Sequence, residues 1–167
     1  MTHSIKLNIG DVSISIAGNS QINDWEIAPS YLPFIREEKP DIQVNMRRGT
    51  PDGTAGRKFF GSYPIWDLYR SNGHSIIKFF DGMPGLARAL TFENHLREAD
   101  LLFPDATDQF IDPFYGPVIE LLMINYLAQS RGVVLHSCGI KFGEHGVLFV
   151  GESGAGKSTL TRLWNQA

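Results

Sequence analysis

The sequence predicts an α+β protein: a β-rich antiparallel N-terminal module over residues 1–107, then, over residues 108–167, a helix and the truncated start of an α/β core. Three observations carry this prediction. Apolar residues alternate at period two between glycine turns through much of the first hundred positions. Near residue 112 the apolar spacing becomes helical. Close to the last residue, a short apolar run leads into a glycine-rich loop and a second helical stripe.

Taken in order, Ile5, Leu7 and Ile9 alternate with polar residues, Gly10-Asp11 supplies a two-residue turn that starts with glycine, and Val12, Ile14 and Ile16 alternate on the return. This is a hairpin with one apolar face. Residues 41–46 read as a further strand, followed by a loop over 49–53. Asn72-Gly73 between apolar-rich runs at 66–70 and 75–80 signals a second hairpin. Asp81-Gly82 and Pro84-Gly85 turn the chain toward a strand at 87–92. The module boundary falls near 103–112. There Asp112 suits a helix cap and Pro113 a first turn, and Phe114, Val118, Leu121, Leu122 and Asn125 mark a largely apolar helical face. Gly132 is a natural stop. Residues 133–140 form the next predicted strand. Residues 146–150 follow as a short apolar run expected to be a strand buried on both faces, as in a parallel sheet.

Composition narrows the function classes. A chain of 167 residues with 43% hydrophobic and 20% charged residues is globular, one domain or a domain with part of another. A formal charge of −3 provides no basic field for nucleic acid or an anionic membrane, so polyanion binding has to be local. Cys138 is the only cysteine, which excludes an internal disulfide and a CxxC metal pair. The N-terminus carries no secretory or transit pattern, and the longest apolar stretch is too short to span a bilayer; a soluble, cytoplasmic protein is expected.

Residues Gly151-Glu152-Ser153-Gly154-Ala155-Gly156-Lys157-Ser158-Thr159 match GxxxxGK(S/T), the phosphate-cradling P-loop. Gly154 and Gly156 can adopt backbone angles closed to other residues, which lets successive N–H groups point at one anion. A helix starting near Gly156 adds partial positive charge, and Lys157 adds a full one within reach of β- and γ-phosphates. The Ser158 hydroxyl is the candidate magnesium ligand, with Thr159 behind it. The stripe Leu160, Leu163, Trp164 and Ala167 gives that helix a face to pack. The core is therefore expected to be a P-loop nucleotide-binding core.

The stretch from Leu135-His136-Ser137-Cys138-Gly139-Ile140 through Gly146-Val147-Leu148-Phe149-Val150 and the loop resembles the HPr serine kinase/phosphorylase family, whose P-loop core is similar to that of phosphoenolpyruvate carboxykinase. The resemblance covers about thirty residues and implies a serine kinase that uses ATP and Mg²⁺ to phosphorylate a protein. It matches His136 to a family histidine on the strand before the loop and so makes it the catalytic candidate. It also places a catalytic aspartate on the strand after the P-loop helix, beyond Ala167, so this chain is expected to bind ATP but to turn over little. The cut is further expected to leave residues 146–167 self-associating or loosely ordered, with a homo-oligomer as one outcome.

Alternatives accompany each candidate. His136 and Cys138 equally suit ordinary strand positions, and Asp81 suits a turn as well as a metal. His74, His95 and His145 read as solvated surface. Phe59, Phe60, Tyr63 and Trp66 are either core or a contact surface. The loop also fits a transporter-type ATPase, and the whole chain fits a non-catalytic nucleotide-sensing module. The phosphate acceptor is not legible.

Overall fold

The computed structural model describes residues 4–22, 24–50, 56–71, 73–80, 88–104, 112–129 and 132–166. The chain forms two compact units, Met1–Tyr126 and Leu127–Ala167. Of the described residues, 46% lie in strands and 19% in helices.

The first unit is built on one mixed sheet of eight strands: β1 (Ser4–Ile9), β2 (Val12–Gly18), β3 (Ile42–Arg48), β4 (Arg57–Ser62), β5 (Trp66–Ser71), β6 (His74–Phe79), β7 (Arg88–Glu93) and β8 (Glu98–Phe103). Their spatial order is β1-β2-β3-β8-β7-β6-β5-β4. The expected hairpins are present. Ile9 pairs with Val12 across a turn in which Gly10 and Asp11 both have positive φ, and Ser71 pairs with His74 next to Gly73 at φ 88°.

The expected fold class is not what the chain adopts. The sheet is not antiparallel throughout, because β2 runs parallel to β3 and β3 parallel to β8. Nor is residues 108–167 the start of an α/β core with a parallel sheet. The second unit contains a separate two-stranded antiparallel hairpin, β9 (Ser137–Phe142) with β10 (His145–Val150). Alternation within a strand reports which side chains share a face, but not the direction of a neighbour reached through a long connection such as residues 19–41.

Side chains of cross-strand partners share a face, so the register shows where the core lies. One row runs Met46, Leu101, Leu90, Ile77, Leu68, Phe60 through β3, β8, β7, β6, β5 and β4; it is buried throughout until Phe60. Leu7, Ile14, Ile16, Ile42 and Val44 extend the same buried face into β1, β2 and β3. Each such side chain contributes about 1.5–3 kcal/mol by leaving water. Trp25, Ile22, Leu96 and Phe114 are buried in the same unit, as are Val118, Leu121, Leu122 and Met123 of the helix α1 (Val118–Gln129). The other face carries Gln43, Asn45, Arg47, Glu98, Asp100 and Thr91.

The start of α1 is later than expected. Asp112 Oδ1 accepts the Phe114 N–H at 2.9 Å and its carbonyl accepts the Tyr115 N–H, which closes a turn rather than capping a helix, and regular helix begins at Val118. β4 and β8 were not anticipated: in β4 the aromatic pair Phe59-Phe60 breaks the alternation, and in β8 Leu101-Leu102 does so. Asp81 and the turn around it lie outside the described residues. No helix among the described residues is long and apolar enough to cross a membrane.

Candidate functional site

The glycine-rich loop lies between β10 and the helix α2 (Lys157–Trp164), so strand, loop and helix follow one another in the order the motif requires. Both interior glycines are left-handed, Gly154 at φ 85° and Gly156 at φ 84°. A Cβ added at either would meet nothing within 4 Å, so the requirement is for backbone angle and not for room. The Ala155 N–H donates to the Glu152 carbonyl at 3.2 Å and closes the loop on itself. Gly156 caps α2 without a side-chain hydrogen bond, and the Leu160 N–H makes the first helical bond back to the Gly156 carbonyl. An N-terminus of this kind leaves first-turn N–H groups and partial positive charge for an outside acceptor.

Lys157 is folded back over the loop. Its Nζ donates to the Gly151 carbonyl at 2.7 Å and the Glu152 carbonyl at 2.9 Å. These are neutral acceptors, so the ammonium is held in place without a counter-charge and remains available to an anion. Ser158 and Thr159 open α2 and are exposed, as are Glu152, Ser153 and Ala155. Ser158 borders an open depression of about 540 Å³ with Cys138, Thr161 and Arg162. Among the described residues no cluster of three or more His, Cys, Asp or Glu side chains is placed to hold a metal. The loop offers backbone N–H groups, an ammonium and a hydroxyl, a donor set that can hold an anion such as phosphate.

His136 is exposed and lies one residue before β9, not on it. Because Val150 pairs with Ser137, the chain enters the hairpin at His136 beside the end from which Gly151 leaves it. His136 and the loop are therefore brought to one end of the hairpin. Cys138 is a half-buried free thiol paired with Phe149.

Burial around the loop corrects the reading of β10. The strand expected to be covered on both faces has Val147, Leu148 and Val150 exposed at 40%, 59% and 67%. Residues 133–136, expected in strand, are exposed and outside it. The stripe on α2 is likewise open at Leu163, although the Trp164 ring meets Phe142 of β9 edge to face at 5.9 Å.

A second concavity, unmarked by any motif, lies on the polar face of the first unit. It encloses about 730 Å³ between Asn45, Arg47, His74, Thr91, Glu93 and Asp100, with the Arg47 Nε on Asp100 Oδ1 at 3.0 Å. His74 and His95 are exposed, in agreement with their reading as surface, yet both border this hollow. Its sequence signal is the recurrence of polar residues at alternate positions in short stretches, 43, 45 and 47 of β3, 91 and 93 of β7, and 98 and 100 of β8.

Comparison of the chain with protein-family models, with curated proteins and with solved structures yields no match.

Proposed function

We propose that residues 151–159 bind the phosphate chain of ATP with Mg²⁺, as the nucleotide-binding part of a phosphotransferase of the HPr kinase-like type. The observation that supports this reading best is the geometry of the loop. Two left-handed glycines precede an uncapped helix N-terminus, and Lys157 is held across the loop by neutral carbonyls only. Bound ATP would supply the γ-phosphoryl group, and its Mg²⁺ would offset the charge of the phosphates. In this reading the N–H groups of the loop and of the first turn of α2 orient the phosphates, and Lys157 exchanges its carbonyl partners for phosphate oxygens. Ser158 supplies the hydroxyl ligand. His136, at the same end of the hairpin, is in this reading the candidate proton acceptor or donor.

Thermal unfolding with and without Mg·ATP tests the reading. A ligand at a hundredfold over its Kd adds about 2.7 kcal/mol, which corresponds to a rise in Tm of about 5–10 °C. Lys157→Ala should weaken ATP binding by about ten- to hundredfold, the effect of losing a hydrogen bond to a charged group. No Tm shift with Mg·ATP or with Mg·pyrophosphate, or equal binding by Lys157→Ala, overturns the proposal.

A further inference from the structure

The two edges of the large sheet are finished differently. At β1, the chain covers its own edge. Ile35 bridges Leu7 in antiparallel sense, and the Arg36 N–H donates to the Lys6 carbonyl at 3.1 Å. The Lys6 ammonium binds Glu37 Oε2 at 2.9 Å, and Asn8 Nδ2 donates to Glu38 Oε2 at 2.7 Å. The cover is thus a short extended segment, Ile35-Arg36-Glu37-Glu38, whose two carboxylates meet Lys6 and Asn8 of β1.

At β4 no described segment does this. β4 ends the sheet with one neighbour, β5, and is exposed at every position except the half-buried Gly61. The buried row that crosses six strands ends in the open at Phe60, which is 60% exposed; Phe59 is 63% and Tyr63 86% exposed. Uncovered edges of this kind carry unpaired N–H and C=O groups and tend to recruit another strand.

The charge of this edge is also unresolved. Arg57 lies directly across from Arg70, a like-charge pair that disfavours the sheet unless an anion relieves it. Neither has a carboxylate partner among the described residues. The carboxylate on these two strands, Asp67, is buried and bound by Lys58 at 2.7 Å. A cationic edge on a chain of net charge −3 is a local arrangement.

We propose that the β4 edge is a docking site for an extended peptide segment of a partner that presents acidic and apolar residues on one face, added as a ninth strand beside β4. Its backbone takes up the edge N–H and C=O groups that no described strand pairs, an apolar residue continues the core row over Phe60, and a carboxylate sits on the Arg57–Arg70 pair. The chemistry repeats what residues 35–38 already do at β1. Two features argue against other occupants. The Phe59 ring is covered by the Arg70 guanidinium at 4.1 Å and Phe60 leans on Trp66, so these faces are not open platforms for nucleobases. A second copy of β4 would bring its own Arg57, Lys58 and Arg70, and the register shift between Lys58 and Phe60 interrupts the regular edge that self-pairing needs. The proposal does not depend on the nucleotide-binding reading.

A displayed library of random eight-residue peptides, selected on the whole chain, is the test. The expected result is enrichment of Glu and Asp together with β-branched or aromatic residues. A synthetic peptide of the enriched sequence should bind at least tenfold more weakly to Arg57→Glu, whose side chain is exposed and whose replacement leaves the core intact. Hydrogen exchange with that peptide bound should slow at residues 57–62. Failure to enrich, enrichment indifferent to charge, or protection elsewhere overturns the proposal. So does a concentration-dependent dimer that protects residues 57–62 without peptide, which would assign the edge to a second copy. Binding of a ten-residue oligouridylate as tight as that of the peptide would assign the edge to nucleic acid and overturns it too.

Discussion

The hairpins β1–β2 and β9–β10 have similar local patterns and opposite fates. Each joins two short strands through a turn with a left-handed glycine, Gly10 in one and Gly143 in the other. Each return strand is rich in branched or aromatic apolar residues. Yet β2 is buried at Val12, Ile14 and Ile16, whereas β10 exposes Val147, Leu148 and Val150. β2 continues through β3 into an eight-stranded sheet with a covered face, while among the described residues β10 pairs with β9 alone. The difference teaches that an apolar strand carries the capacity for burial, and its neighbours decide whether that capacity is used.

Ile14→Ala should show the largest effect, a loss of about 2–5 kcal/mol from deleting a fully buried branched side chain, read as a shift of the urea midpoint. A loss below about 1 kcal/mol would mean that the β2 face is no better packed than β10, and the comparison would fail. Gly61→Ala comes next. Gly61 pairs with Asp67, and a Cβ there would run into Asp67 Oδ1, so overpacking of about 1–3 kcal/mol is expected. The double variant Gly61→Ala, Asp67→Ala should recover part of this loss if the clash is its source.

In the second unit, Gly154→Ala should cost about 1–2 kcal/mol through the left-handed backbone alone, since nothing lies near the added methyl. The measurement is the exchange rate of α2 amides, expected to rise by about tenfold or more. Leu148→Ala should change stability by no more than about 0.5 kcal/mol. A loss as large as that of Ile14→Ala would show that β10 is covered in solution and would break the contrast between the hairpins.

The smallest effect concerns pH. Burial pushes the Tyr31 hydroxyl above its ordinary value of 10.0, with the nearby Asp112 carboxylate acting in the same direction. A raised folded-state value favours the neutral phenol. Its contribution is therefore complete below pH 10 and lost as pH rises through the folded value. Tyr31→Phe, which keeps the ring beside Phe114 at 5.1 Å, should remove that part of the alkaline decline. An unchanged slope above pH 10 would show that the phenol does not titrate differently in the fold.

How much of this was legible in the sequence can be argued element by element. The hairpin turns were visible because Gly10-Asp11 and Gly73 meet a local backbone requirement that two residues can state by themselves. The loop at 151–156 was visible for the same reason. β4 was missed because Phe59 and Phe60 are both apolar and adjacent, a break in the alternation that the register shift at this edge accommodates. The polar hollow around Arg47 and Asp100 was missed because its residues come from four strands that are neighbours in the sheet and not in the chain.

By itself the sequence determined the periodic strands, the two-residue turns, the left-handed glycines and the lysine that follows them, all of which depend on interactions within a few residues. The tertiary structure decided that β2, β3 and β8 run parallel, that β10 pairs with β9 in an open hairpin, and that the apolar row through the sheet ends uncovered at Phe60. Strand direction and burial are set by contacts between residues far apart in the chain, and a local pattern carries no information about which distant strand will supply them.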